Sequence, residues 1–453
     1  MNFSNIKYYP DRFYIRLDGF NLDNLRTLLT ETLINKEHAV FIHEYYHYLT
    51  NITTLPGIRQ FNLNFCDRFR AITILTEKES LNAYPINKNT YSSCGSMVKY
   101  WDDVLKIIDE DDIDYELSEE AENAINKKFN IESINRTRKP MDVVIGDTTY
   151  EGERIFITIN TIGLVNRQSF NLTFGAIDEF LSSAIDEYLY ENDLSDIDPS
   201  LLNSRPFYPY RFFDELLSYY NINRVSAFEK ILLAYYALNS SRPPITLIEI
   251  LEKIKEDGYE NFQSYPEHYL LSHLSTCTEY DEMLQYTKKF AKETGAQDRV
   301  HISQALTYFY DKFYIAKKLK EDDFFYFVRP FFINETDNFK FKQKFLQALS
   351  RIVNVFSPPV ILKDRQFYYI DKLTSFGEST MLILATYEIL ESLKKNKIAS
   401  RPDSQKRRYS FPDGDPNCDN PKKFTPLPTN IIFRIALNEL NLYKLYLENS
   451  SDI

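Results

Sequence analysis

The stretch V-F-I-H-E-Y-Y-H-Y-L-T-N, Val40 to Asn51, holds two of only six histidines in a chain of 453 residues. The two stand four positions apart, a glutamate directly follows the first, and nearly every flanking residue is apolar or aromatic. Residues i and i+4 leave an α-helix on the same face, so His43 and His47 direct ring nitrogens at one point. Imidazole is a good zinc ligand, and a catalytic zinc keeps one position open for water. Glu44 is rotated away from the histidine axis, where it reaches that water rather than the metal and is placed to act as general base. The competing reading is a helix core that happens to contain two satisfied histidines. It has to find a partner for Glu44, because a carboxylate buried alone is costly.

His43-Glu44-Tyr45-Tyr46-His47 is an H-E-x-x-H motif, with Val40 three positions before the first histidine and Leu49 two beyond the second. With uncharged residues between the histidines, the stretch resembles the zinc-binding helix of the zincin metallopeptidases. The resemblance implies a zincin-like α+β catalytic domain, Zn2+ as cofactor, and hydrolysis of a peptide bond by metal-activated water. The metzincin continuation is absent, since Thr50 and Thr53 stand where that subclass has Gly and a third His. The gluzincin pattern takes its third ligand from a later helix, in a G-x-x-x-E context, and Phe174-Gly175-Ala176-Ile177-Asp178-Glu179 is similar to it. On that resemblance Glu179 is the expected ligand, with Asp178 and Glu187 as alternatives. Asp178 enters because Gly-x-x-Asp also resembles the aspzincin variant.

The chain departs from the family in two respects. The long separation of His47 from Glu179 implies an insertion, and Ser183 stands four residues after Glu179, where an aspartate would orient a ligand histidine; Asp186 is the substitute on offer. Zincins also use a Tyr, His or Arg to stabilise the oxyanion, and Tyr210, in F-Y-P-Y-R-F-F-D-E from Phe207, is the candidate here. The resemblance covers about the first 215 residues and is matched over the N-terminal half only.

Working outward, R-F-Y-I-R-L-D-G from Arg12 alternates like a half-buried strand that closes in a turn. A helix is expected over residues 22 to 33, a second from Lys36 to Thr50 through the motif, and a third from Ile58 to Ile74 beyond the break at Pro56-Gly57. Trp101 to Lys128 is dense in acid and reads as exposed helix. Period-two alternation returns around Val143 and Ile157, with Ile155, Ile157 and Ile159 on one face. Phe174, Ile177, Leu181, Ala184, Ile185 and Tyr188 then make a helical stripe. The resulting division has a zincin strand and motif helix over 1–75, an acidic helical insertion over 76–140, and strands with the third-ligand helix over 141–215. A helical domain over 216–400, a proline-rich loop over 401–430 and a C-terminal helix over 431–453 complete it. The expected class is α+β, with a large, mainly α-helical C-terminal region.

Net charge is -12, from 65 acidic and 53 basic residues, which argues against phosphate backbones and anionic membrane surfaces as partners. Cys66, Cys94, Cys277 and Cys418 are widely spaced with no CxxC pair, which fits free thiols and a cytoplasmic protein. No stretch has the length of a bilayer span, and no secretory leader is evident. No P-loop, dinucleotide-binding glycine pattern or G-x-S-x-G elbow is present.

The expected function is a zinc metallopeptidase acting on a specific intracellular protein, with a protein or peptide substrate and a regulatory protein partner. A dedicated toxin or defence effector fits, because an uncontrolled intracellular protease would harm its host. The alternative class is a non-enzymatic helical scaffold or partner-binding protein with a structural H-E-x-x-H. A zinc hydrolase of a non-peptide amide would share every residue named.

Overall fold

The computed structural model describes residues 6–9, 14–18, 36–62, 129–140, 143–145, 148–150, 153–163, 167–195, 209–210, 212–274, 279–293, 298–358, 360–363, 366–370 and 424–426. The expected helix over 22–33, the acidic stretch from Trp101 to Lys128, all four cysteines, most of the proline-rich loop and the C-terminal helix lie outside them.

Strands β1 (Ile6–Tyr9) and β2 (Tyr14–Leu17) form an antiparallel pair, Ile6 opposite Leu17 and Tyr9 opposite Tyr14. Ile15 and Leu17 are buried and Arg16 between them is half-buried, as the period of two requires. Helix α1 (Lys36–Thr53) carries the motif, and α2 (Leu55–Phe61) follows at once. The break between them is a cap: the Thr54 side chain accepts from the Gly57 amide, with Pro56 at the start of the new helix, where its missing N–H is no loss. Gly57 is required there, because a Cβ would run into the backbone of Asn51.

Strand β3 (Phe129–Pro140), the short hairpin β4 (Val143–Ile145) and β5 (Thr148–Tyr150), and then β6 (Glu153–Gly163) and β7 (Arg167–Leu172) come next. β3, β6 and β7 make an antiparallel sheet in that order, with a bulge between Ile131 and Ser133. Ile157 and Ile159 are buried on one face of β6. On the other, Thr158 donates to Asn171 and Asn160 to Ser133. Residues 129–140, assigned from sequence to a helical insertion, are therefore strand. F-N-I-E-S-I-N-R-T-R-K-P shows weak alternation because most of β3 is exposed.

Helix α3 (Phe174–Glu191) begins at the Thr173 cap, whose hydroxyl accepts from the Ala176 amide at 3.2 Å. A run of helices follows: α4 (Phe212–Tyr219), α5 (Ala227–Leu238), α6 (Pro243–Asp257), α7 (Tyr259–Ser264), α8 (Pro266–Ser272), α9 (Glu279–Glu293) and α10 (Val300–Asp322). A 3-10 turn (Tyr326–Phe332) and α11 (Asn338–Val355) complete it. Helix α5 is buried almost all round, opened by a Ser226/Glu229 capping box, and it packs against α3.

After α11, β8 (Val360–Lys363) pairs parallel with β2, and β9 (Gln366–Ile370) and β10 (Phe424–Pro426) extend the sheet in the order β1-β2-β8-β9-β10. The chain is thus a mostly helical α+β protein with small sheets. One of those sheets is shared between its two ends, across the boundary at residue 215 that the sequence suggested. Among the described residues, no helix is long and apolar enough to cross a membrane.

Two helices hold the region of interest. α1 buries Phe41, Tyr45, Tyr46, Tyr48, Leu49 and Ile52 on its outer faces. Three of its tyrosine hydroxyls donate to carbonyls of the C-terminal region: Tyr45 to Phe356 at 3.1 Å, Tyr46 to Phe327 at 2.9 Å and Tyr48 to Ser357 at 3.2 Å. Buried phenols need such acceptors, and these fix the rotation of the helix about its axis. α3 packs an apolar stripe that includes Ile177, Phe180, Leu181, Ala184 and Ile185. Its other face carries Asp178, Ser182 and Asp186, four residues apart, with Glu179 beside them, and turns toward α1.

Candidate metal centre

His43 and His47 leave adjacent turns of α1 and are 7% and 8% exposed. Their Nε2 atoms lie 3.3 Å apart with the ring planes at 77°. Glu179 Oε2, from α3, is 3.6 Å from His47 Nε2 and 3.9 Å from His43 Nε2. Donors held about 2.0–2.1 Å from a tetrahedral zinc stand about 3.3–3.5 Å from one another, so the three atoms form a triangle of nearly the right size. His43, His47 and Glu179 could hold a metal ion.

The outer nitrogens decide what the inner ones offer. His43 Nδ1 is 2.9 Å from Asp186 Oδ2, and His47 Nδ1 is 2.6 Å from Asp178 Oδ2. An ionised carboxylate only accepts, so each Nδ1 carries the hydrogen and donates it. In a neutral ring this leaves the lone pair on Nε2, and the two Nε2 atoms lie 3.3 Å apart. That arrangement calls for a cation, or a shared proton, between them. The donor set of two imidazoles and one carboxylate suits a first-row divalent ion such as zinc.

The charge balance agrees. Burial opposes a positive charge on His43, yet the carboxylates of Asp186 and Glu44 together outweigh it and raise that imidazole above its ordinary 6.5. Burial likewise opposes charge on His47, and Asp178 with Glu179 lifts it well above the same value. Burial raises Asp178 and Glu44 above the usual carboxylate values, while the histidines pull each partway back.

Glu44 is half-buried beside this cluster, and its Oε2 accepts the backbone N–H of Tyr8 at 2.6 Å. Tyr8 sits on β1, the outer strand of its sheet; its ring packs edge-on against Tyr48 at 5.9 Å, and its hydroxyl accepts from Asn51 at 3.2 Å. β1 is thereby tied to α1 and holds Glu44 in place.

The remaining candidates fall elsewhere. Asp178 bonds the outer nitrogen of His47 rather than joining the inner triangle. One residue along a helix is a rotation of about 100°, enough to separate its direction from that of Glu179. Glu187 bonds Lys230 of α5 at 2.8 Å, and Lys230 also reaches Asp214 at 2.6 Å. Tyr210 is half-buried just ahead of α4, whose Phe212 and Phe213 pack on Phe180, the neighbour of Glu179. His268 and His273 are exposed on and just beyond α8. The Tyr8 amide had no signal in the sequence. Neither did the pairing of Asp178 with His47, although Asp178, Ser182 and Asp186 recur every four residues along α3. No protein family, curated protein or solved structure matches the chain.

Proposed function

We propose that the chain is a zinc-dependent metallopeptidase of zincin type, with His43, His47 and Glu179 as ligands and Glu44 as general base, acting on a protein or peptide substrate. The observation that carries this reading is the meeting of two imidazole Nε2 atoms and one carboxylate oxygen at separations of 3.3, 3.6 and 3.9 Å, beside a further carboxylate. Zinc, when bound, supplies the Lewis acidity that makes water a nucleophile near neutral pH.

The chain's own residues supply the proton chemistry. The Tyr8 amide holds Oε2 of Glu44, so Oε1 takes the proton of the attacking water and passes it to the departing amine nitrogen. Burial raises the proton affinity of Glu44, which brings it nearer to working pH and suits a group that must both take and give.

The test is metal analysis of purified protein joined to a comparison of newly formed N-termini in cells expressing wild type or Glu44→Gln. About one zinc per chain, and cleavage lost in Glu44→Gln with the metal retained, is the expected result. Cleavage that persists in Glu44→Gln overturns the mechanism. A chain that purifies without metal and takes none up favours the non-enzymatic scaffold.

A further inference from the structure

We propose that Asp178 and Asp186 are the positioning residues of this centre, setting the tautomer and aim of His47 and His43 respectively. The inference rests on the zinc-binding reading above and extends it to the groups that make the two rings competent as ligands. One helix, α3, then supplies a ligand and both orienting carboxylates.

The geometry carries the inference. The earlier histidine takes the later aspartate, His43 with Asp186 and His47 with Asp178, so α1 and α3 run antiparallel through the site. Asp178 and Asp186 are eight residues apart, about 12 Å along the helix, whereas the two histidines are separated by about 6 Å. The rings therefore splay: their Nδ1 atoms reach outward to carboxylates two turns apart, and their Nε2 atoms close to 3.3 Å. Both aspartate side chains are withdrawn from water, Asp186 at 1% exposure and Asp178 at 13%. Such a site accommodates one tautomer. If the hydrogen moved to Nε2, it would point into the triangle and leave an Nδ1 lone pair against a carboxylate oxygen.

Asparagine has the size of aspartate but can donate through its amide. Asp178→Asn and Asp186→Asn would therefore let each ring turn its lone pair outward and its N–H inward, which blocks ligation with little change in shape. The full-length chain, as wild type, Glu44→Gln and the two Asn variants, is titrated with Zn2+ against a chromophoric chelator. Its 15N-labelled histidines are read by long-range 1H–15N spectra.

Zinc affinity is expected to fall 10- to 100-fold in each Asn variant, more for the deeper Asp186, with a cooperative thermal transition retained in the metal-free form. The spectra should show both wild-type histidines protonated at Nδ1, and mixed tautomers in the variants. Asn variants that bind zinc as tightly as wild type, with wild-type tautomers, overturn the proposal and leave the metallopeptidase reading standing. Wild-type protein that binds no zinc removes that reading and the proposal with it. Should Asp186→Asn fail to fold, the more exposed Asp178→Asn decides the question alone.

Discussion

The backbone amide of Tyr8 donates to the Oε2 of Glu44 across 2.6 Å, joining the outer strand of a sheet to the carboxylate beside the two histidines. A glutamine at position 44 can accept the same bond through its amide oxygen but cannot take a proton. Glu44→Gln should therefore keep its zinc and its melting temperature while turnover falls about 10²- to 10⁴-fold. Calorimetry beside a peptide-cleavage assay separates this result from simple misfolding.

Removal of Glu179 and Glu187 should have opposite consequences. Glu179→Gln takes away the anionic corner of the ligand triangle, and zinc should be lost on dialysis. Glu187→Gln weakens a bond to Lys230 at the junction of α3 and α5, with full zinc content and a modest loss of stability. Equal zinc content in both variants would contradict the ligand assignment.

Acidity should be visible in the metal-free protein. His43 and His47 hold protons more tightly in the fold than the ordinary 6.5, and burial gives the Glu44 and Asp178 carboxyls the same tendency. Groups raised in this way contribute stability that is complete below their unfolded values and disappears as pH rises through the folded ones. Melting temperature without metal should accordingly fall as pH climbs past the 6.5 of free histidine. Zinc replaces those protons, so its affinity should increase with pH and the loaded protein should show the flatter profile. Scanning fluorimetry with and without chelator, from about pH 5 to pH 9, reads both; parallel curves would refute the coupling.

Tyr46→Phe removes the donor to the Phe327 carbonyl in the interior and should cost about 1 kcal/mol, more if that carbonyl finds no water. Denaturant titration measures it. Gly57→Ala should be far worse tolerated, because the added methyl meets the Asn51 backbone at the joint of α1 and α2. A loss of about 1–3 kcal/mol or more is expected there, with zinc affinity falling as α1 shifts.

The parts that were legible in the sequence are those whose information is local. H-E-x-x-H on an apolar background marks α1, and the spacing of Ile177, Leu181, Ala184 and Ile185 marks α3 and so brings Glu179 into view. Phe170 and Leu172 continue the same apolar run but belong to β7; Thr173 is the cap that separates strand from helix, and hydrophobicity alone does not register a cap. Pairing between distant segments leaves no local trace. The parallel register of Tyr14 with Val360, and the reach of Asp178 to His47 across 131 positions, depend on how the chain closes. β3 does not announce itself as a strand, because a strand exposed over most of its length lacks the alternation that burial imposes.

The carbonyl of Ser357 accepts two phenols, Tyr48 from α1 and Tyr308 from α10, each at 3.2 Å. A single peptide unit just past α11 thus anchors the histidine-bearing helix, and the strand that follows it lies alongside β2. The N-terminal portion is consequently not an excisable module. A polypeptide ending near residue 215 would bare the aromatic back of α1 and should aggregate, and exchange of the C-terminal portion for an unrelated one should abolish metal uptake along with solubility.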